Sequence, residues 1–269
     1  MNKIMVDKEK CIHCAMCVKD CVTQCFKFDE NKIPYLAVPN MCISCQHCFS
    51  ICPKGAITFN GKNPENSLSV SNEDMLSFLR SRRSIRQYKN EELTKEELQK
   101  LKDMLPCIPT GANSHSLHFS IVEKKEVMQH FKEQCNSRYL KTFKSWWFKP
   151  FLKKYEFYKN AFEKGEDIIF RNAPHMVVVS SDTKSPCPKE DAIIALTYFE
   201  LFANSIGIGT CWCGYAQMTI EKFPDIFKIL NIPKGYKPIY AMLFGKPAVK
   251  YARLPQPEPY KISEVREIK

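Results

Sequence analysis

The chain has 269 residues, 44% of them hydrophobic, and a formal net charge of +11. A chain of this length can bury one large core, or a large core and a small one. The positive charge alone would suit nucleic acid, but it counts all 14 cysteines as neutral, whereas cysteines that bind metal are thiolates. We therefore expect a moderately basic surface and no nucleic-acid partner.

The first residues, MNKIMVDKEK, are charged and lack the apolar stretch of a signal peptide. The longest apolar segment, residues 191–216, contains Glu200 and Asn204, so it does not predict a membrane span. Because no export signal accompanies the cysteines, a reducing cytoplasm is a better expectation than a secreted disulfide scaffold.

Eight cysteines form two runs with the same spacing, CxxCxxCxxxC, at a constant offset of 31 residues. In such a run three cysteines bind one four-iron cube and the fourth reaches across to the other cube. The spacing therefore predicts two 4Fe-4S clusters, one held by Cys11, Cys14, Cys17 and Cys52, the other by Cys42, Cys45, Cys48 and Cys21. A pair of zinc sites is the alternative, but zinc usually uses two separated CxxC pairs.

A ninth cysteine, Cys25, follows the first run and aligns with Ala56 in the repeat, so we expect a small buried residue rather than a ligand. The stretch CISCQHCFSICPKGAI resembles bacterial two-cluster ferredoxins, and the resemblance covers residues 1–60. The first run departs from the family pattern at Val22, where a proline commonly follows the fourth cysteine.

Residues 60–72 are rich in Asn, Ser, Gly and Pro, which is typical of a domain boundary. We expect a ferredoxin domain over residues 1–60, a linker over 61–72 and a second domain over 73–269.

The second domain alternates helical and strand patterns. Ser71 with Asp74, and Thr94 with Glu97, predict two helix starts, and the second helix must end before Pro106. Strands are predicted at LHFSIVE, HMVVVSS and PIYAMLFG, and a helix is predicted over 191–205. The pattern predicts an α+β fold with a mixed sheet covered by helices.

The segment RSRRSIRQY, residues 80–88, crowds four arginines around one serine. Guanidinium groups and a hydroxyl can converge on a phosphate, although a basic helix end is also favoured by the helix dipole. The segments PTGANSHSLHF, NAPHMVVV, SIGIGTCWCGY and LFGKP follow in order. This series resembles the FMN-dependent nitroreductase superfamily over residues 75–269.

The resemblance implies an FMN site assembled from several segments. Its expected members are the phosphate, ribityl and ring contacts Arg82, Arg83, Ser84 and Arg86, the ring partner Asn113, the close backbone segment Gly207, Gly209 and Thr210, and a second phosphate cation at Lys246 or Arg253. The sequence departs from the family pattern at Ser116 and Leu117, where a proline and a tryptophan are usual. No side chain stands out as a general acid.

Together the two resemblances imply a cytoplasmic iron-sulfur flavoprotein oxidoreductase that forms a homodimer, with oxygen-labile clusters typical of anaerobic life. Electrons would pass from an external donor, reduced ferredoxin or NAD(P)H, through the clusters to FMN and on to a small electrophile such as a nitroaromatic or a quinone. The alternative is an electron carrier that delivers electrons to a protein partner.

Two further features of the second domain lead to predictions. Residues 131–165 interleave aromatic residues and lysines around Pro150, which predicts a lid or dimer element, with surface or membrane contact as the alternative. Cys211 and Cys213 flank Trp212, and we expect them to be buried structural residues rather than a redox pair.

Overall fold

The chain, described here over residues 4–266 in a computed structural model, forms two compact units. The N-terminal unit comprises the described part of Met1–Ser69 together with two short later segments, Pro109–His115 and Ser185–Cys187. The large unit comprises Val70–Ile108, Ser116–Lys184 and the chain from Pro188 onward. Two loops that are remote in sequence from the cysteine runs therefore group with them.

The N-terminal unit consists of two antiparallel ribbons and two short helices. Its elements are β1 (Ile4–Val6), α1 (Met16–Lys19), β2 (Phe26–Phe28), β3 (Pro34–Leu36), α2 (His47–Ile51) and β4 (Ile57–Phe59), with a 3-10 turn over Pro39–Met41. Strand β1 pairs with β4 and β2 pairs with β3. Cys17, Phe26, Cys48 and Ile57 form its small core.

The backbone of this unit repeats with the 31-residue period of the cysteines. Left-handed residues recur at equivalent positions of the two halves, in the pairs His13 and Ser44, Ala15 and Gln46, and Gln24 and Gly55. Helices α1 and α2 begin directly after Ala15 and Gln46. A left-handed conformation costs a non-glycine residue about 1–2 kcal/mol. The repetition of these costly turns shows that both halves form the same loop around their cysteines.

Six α-helices lie in the part of the large unit that the structure describes. They are α3 (Asn72–Ser81), α4 (Lys95–Asp103), α5 (Lys125–Lys144), α6 (Leu152–Glu163), α7 (Pro188–Ser205) and α8 (Gly214–Lys222). The two predicted helix starts are confirmed: Ser71 accepts from the Asp74 N–H, and Thr94 and Glu97 form a complete capping box. Within residues 4–266 no helix is long and apolar enough to cross a membrane.

The sheet of the large unit has four strands, β5 (Leu117–Val122), β6 (His175–Asp182), β7 (Gly209–Trp212) and β8 (Tyr236–Gly245), in the order β5-β6-β8-β7. These strands pair antiparallel, and a parallel bridge between Ser84 and Thr210 extends the sheet beyond β7.

Both faces of this sheet are covered. Along β6, Met176 and Val178 enter one core and Val177 and Val179 enter the other, as the two-residue period of a strand requires. Helix α7 packs on the second face through residues such as Phe199. Helices α5 and α8 cover the first face. The α+β prediction, a sheet covered by helices, is therefore confirmed.

Candidate functional site

The first cysteine run lines a small cavity together with the last cysteine of the second run. Its cysteines are Cys11, Cys14, Cys17 and Cys52, and apolar residues such as Pro34 and Ile57 complete the wall. The thiols are close enough that Cys52 and Cys11 act on the pKa of Cys17, which burial raises. This is the grouping that a cube with a crossed fourth ligand requires.

The thiols of the second run also lie close to one another. Burial raises the pKa of Cys48 to about 12, and the neighbouring Cys42 and Cys45 add to that shift. Burial also raises the pKa of Cys25, with smaller contributions from Cys21 and Cys42. Cys21, the last cysteine of the first run, and Cys42, the first of the second run, therefore both lie within electrostatic range of Cys25.

Backbone N–H groups point at the fourth cysteine of each run. The N–H of Cys25 donates to Cys21 Sγ at 3.3 Å, and the N–H of Ala56 donates to Cys52 Sγ at 3.2 Å. The two bonds are equivalent under the repeat. At Cys21 burial alone would raise the pKa, but this N–H and Thr23 lower it. Such donors stabilise a thiolate and tune a cluster bound to it.

Cys25 itself is fully buried, and its sulfur lies 3.0 Å from Thr23 Oγ1. Its counterpart Ala56 is 1% exposed, so both halves of the repeat bury a small residue at this position. The expectation that Cys25 is a small buried residue is confirmed.

Within residues 4–266, no three His, Cys, Asp or Glu side chains converge as ligands of a single metal ion do. Around one zinc ion every sulfur lies about 2.3 Å from the metal, which forces the sulfurs close together. A 4Fe-4S cube is larger and binds one cysteine sulfur at each of its four irons. Four thiols around one cavity, with an N–H donor at the fourth sulfur, form the donor set that such a cube would need.

In the large unit, the arginine-serine run lies against strand β7. Ser84 bridges Thr210, and the N–H of Ile85 donates to the Thr210 carbonyl at 2.8 Å. Two segments that the sequence predicts as flavin contacts are thus adjacent at one edge of the sheet.

A buried carboxylate, Glu200 on α7, joins these segments. Its Oε1 accepts from Arg82 Nη1 at 3.1 Å and from Thr210 Oγ1 at 3.2 Å, and its Oε2 accepts from Trp212 Nε1 at 3.0 Å. Three donors from two segments compensate the cost of burying the charge. In the sequence Glu200 is a charged residue within an apolar segment, and this was the signal by which it could have been found.

The two glycines of the GIG segment have structural roles of their own. Gly207 has φ +77° and follows α7, where its N–H donates to the Asn204 carbonyl and closes the helix. At Gly209 a Cβ would lie 2.5 Å from Ile85 Cγ1. The missing side chain of Gly209 is therefore needed for the close approach of the arginine-serine run.

A groove of about 440 Å³ lies beside this run, and two cations, Arg83 and Lys250, line it together with the hydroxyls Ser81 and Ser205. Arg83 is an expected flavin contact. Lys250 was missed by the sequence analysis, because it lies between the two candidates Lys246 and Arg253 and belongs to no motif. The groove could accept an anionic group.

The other expected cations differ in their surroundings. Lys246 pairs with Glu97 at 3.5 Å and with Glu91 at 3.8 Å. Arg253 is exposed in the C-terminal segment, and Arg86 is exposed at the end of the arginine-serine run.

Next to Arg86, the hydroxyl of Tyr88 is buried without a hydrogen-bond partner in the described chain. Burial raises its pKa, which the charge of Arg86 opposes. A buried orphan hydroxyl at the end of this run is a group that a bound cofactor could satisfy.

Asn113 lies in the N-terminal unit, on the loop Pro109–His115. Its Nδ2 donates to the Ile43 carbonyl at 2.8 Å, directly after Cys42. Asn113 and its neighbour Ala112 both have φ +53°. Asn113 therefore belongs to the same compact unit as the second cysteine run.

Cys211 and Cys213 are both buried, as expected. Cys213 begins α8: its sulfur accepts from the Ala216 N–H and donates to the Ile169 carbonyl at 3.2 Å. Burial raises its pKa to about 11. A thiol with such partners and such a pKa is a poor redox nucleophile.

The comparisons with known proteins assign the large unit to a class of FMN-dependent oxidoreductases. Residues 79–246 match the Nitroreductase family, and the chain belongs to that family. A nitroreductase with bound FMN from Desulfitobacterium hafniense DCB-2 superposes with a TM-score of 0.58 at 26% identity, covering 73% of this chain and 100% of that one.

Two curated relatives match different parts of the chain. Iodotyrosine deiodinase of Thermotoga neapolitana is 24% identical over 66% of this chain and 91% of its own length. Ferredoxin-3 of Nostoc sp. is 33% identical over 20% of this chain and 74% of its own length. The cysteine-rich N-terminal region is therefore ferredoxin-like.

Proposed function

We propose that this protein is an iron-sulfur flavoprotein oxidoreductase with two 4Fe-4S clusters and FMN. It takes electrons from an external donor, reduced ferredoxin or NAD(P)H, and delivers them to a small electrophile such as a nitroaromatic or a quinone. The observation that carries the proposal is the cavity at which Cys52 joins Cys11, Cys14 and Cys17, in a chain whose other unit belongs to the nitroreductase family.

The clusters would supply single electrons, and FMN would match that supply to a two-electron reduction. The cysteines hold the iron, and the N–H groups of Cys25 and Ala56 donate to the fourth sulfur of each run. Because such donors stabilise the negative charge of a thiolate, they would tune the reduction potential of a cluster that the thiolate binds.

The groove beside the arginine-serine run is the proposed phosphate site, with Arg83 and Lys250 as its cations. This assigns the second phosphate cation to Lys250, with exposed Arg253 as the next candidate, because Lys246 already faces two carboxylates. The role of Glu200 is to fix Arg82 and Thr210 at the sheet edge. The D. hafniense structure, which contains FMN, supports a flavin in this unit.

Further assignments from the family resemblance complete the proposed flavin site. Ser84 and Arg86 would contact the ribityl chain and the ring region, and Asn113 would hydrogen-bond the isoalloxazine. We also propose a homodimer, and a size measurement on the FMN-loaded protein tests it. A stable FMN-loaded monomer would contradict that part of the proposal.

Anaerobic purification followed by iron, sulfide and flavin counts tests the cofactors. Two cubes require about eight iron and eight sulfide per chain. Turnover of nitroaromatics or quinones with each donor in turn then identifies the electron source. Bound zinc in place of iron and sulfide would refute the clusters, and turnover only with one protein partner would favour an electron carrier.

A second experiment tests the phosphate groove. The double variant Arg83→Gln, Lys250→Gln should weaken FMN binding by about tenfold or more, because each charge-assisted hydrogen bond contributes roughly 1.5–3 kcal/mol. Cluster absorbance should be unchanged, and Lys228→Gln, an exposed lysine elsewhere in the unit, is the matched control. Unchanged flavin affinity in the double variant would refute the groove assignment.

A further inference from the structure

A second cavity of the large unit uses none of the residues assigned to FMN. It has a volume of about 300 Å³ and lies between α5, α6 and α8. Its lining is mostly aromatic, with Tyr139, Phe148, Tyr155 and Phe162 among its walls. Ligand cavities begin at about this size, so a ligand of one or two rings fits.

The walls are formed by the segment that interleaves aromatic residues and lysines. Tyr139 stacks on Phe162 with ring centroids 5.0 Å apart and an interplanar angle of 15°. Phe148 contacts Phe143 edge-on at 5.3 Å and Tyr155 at 5.5 Å. The 3-10 turn Trp146–Phe151, which contains Pro150, brings Phe148 into this set. These contacts preorganise ring surfaces for another planar group.

Hydroxyl groups are fixed within the cavity. Tyr139 and Thr219 share a hydrogen bond of 3.0 Å, and Tyr158 and Tyr215 share one of 2.9 Å. Both pairs join the aromatic segment to α8. They hold the cavity walls together and leave lone pairs and protons for a polar substituent.

One cation lies at the rim. Among the described residues that line the cavity, Lys222 is the one charged side chain. Its Nζ lies 4.9 Å from the Tyr139 ring centroid, and no ion pair joins it to a carboxylate within residues 4–266. The cavity therefore combines an aromatic interior with a positive rim that an anion would complement.

We propose that this cavity binds a planar aromatic acid, with its ring among Tyr139, Phe148 and Tyr155 and its carboxylate paired with Lys222. The aromatic walls favour a flat apolar body, and the single unpaired cation selects a negative substituent over a neutral one. The assignment does not rest on the flavin chemistry, because it concerns a separate cavity.

Isothermal titration of the 269-residue, cofactor-loaded protein tests this with 2-naphthoate and its neutral analogue 2-naphthalenemethanol. The acid should bind with one site per chain and about tenfold more tightly than the alcohol. Lys222→Met should weaken binding of the acid about fivefold or more and leave the alcohol unchanged, since an ion pair of this kind contributes on the order of 1 kcal/mol. Lys228→Met, the matched control, should bind both ligands as the wild type does.

A second variant tests whether the ligand occupies this cavity. Met218, an exposed residue of the lining, can be replaced by tryptophan to fill the cavity, and Met218→Trp should abolish binding of both ligands. Binding of the acid that survives both Lys222→Met and Met218→Trp overturns the proposal. So does binding that displaces FMN or that is lost in the Arg83→Gln, Lys250→Gln variant, because the acid would then occupy the flavin groove.

Discussion

The two units differ in how their functional residues come together. In the N-terminal unit the cysteines recur within two runs of eleven residues each, and the second run reproduces the turns of the first. In the large unit the central contact joins Arg82 to Glu200, which are 118 positions apart. A site whose ligands lie within one loop can be read from spacing, whereas a site assembled by tertiary contacts cannot.

Removing one cluster ligand should give the largest effect. We expect Cys52→Ser to lose at least one cube, because the cavity would keep only Cys11, Cys14 and Cys17, and metal binding in small domains is coupled to folding. Iron and sulfide per chain should fall by half or more while flavin content is retained. Cys25→Ala is the control and should keep its iron, since alanine already occupies the equivalent position 56. Equal iron loss in both variants would contradict the ligand assignment.

In the large unit, the next largest effect should come from removing the partner of the buried Glu200 carboxylate. Arg82→Met should lower the free energy of unfolding by about 3 kcal/mol, because Glu200 stays buried with one donor fewer. Urea unfolding followed by tryptophan fluorescence measures it, since Trp146, Trp147 and Trp212 all lie in the large unit.

The matched control is Arg82→Met combined with Glu200→Met. The double variant should recover part of the loss, because no charge is then left buried without its partner. Additive effects of the two substitutions would show that the pair is not coupled. Iron content should be unaffected throughout, which separates this site from the cysteine unit.

Substitutions at Gly207 and Gly209 should have smaller effects, and FMN binding should distinguish the two positions. Gly209→Ala should cost about 1–3 kcal/mol, because its Cβ would meet Ile85, and it should also weaken FMN binding by displacing the arginine-serine run. Gly207→Ala has open space around its Cβ and should cost about 1–2 kcal/mol for its φ of +77° alone. FMN affinity, measured by fluorescence titration, should therefore separate the two variants. Equal flavin affinities would count against the close approach at Gly209.

The smallest effect is a pH dependence at His175. This ring is fully buried, accepts from the Leu93 N–H at 2.9 Å and donates to the Val122 carbonyl at 3.2 Å. Burial lowers its pKa, although the Val122 carbonyl and Glu92 oppose the shift.

The unfolded chain therefore binds this proton more readily than the folded chain. The contribution of His175 to the free energy of unfolding should be fully present above its pKa in the unfolded chain, about 6.5. It should decrease as the pH falls from there towards the lower pKa of the folded chain, by at most about 1.4 kcal/mol per pH unit. Unfolding of the large unit at pH 7.5 and 5.5, followed by tryptophan fluorescence, measures the slope. His175→Gln should reduce it, and an unchanged slope would assign the acid sensitivity to other groups.

Local signals in the sequence predicted a large part of this molecule. Short stretches of sequence predicted the helix caps at Ser71 and Thr94 and the three strand patterns. They also predicted the burial of Cys25 and Cys213. The cysteine repeat also predicts which fourth ligand crosses over, because its spacing repeats. Lys250 and the cavity at Lys222 gave no such signal, since their partners come from distant elements.

The sequence by itself determined the two-part organisation, three strands of the sheet (β5, β6 and β8, but not β7) and the cysteines that form the proposed cluster sites. These features depend on spacing, periodicity and capping, which act over short distances along the chain. Only the tertiary structure decided that Glu200 receives Arg82, Thr210 and Trp212, that Ile85 occupies the space at Gly209 and that Asn113 lies with the second cysteine run. Those contacts depend on which strands and helices become neighbours, and packing of the whole core sets that arrangement.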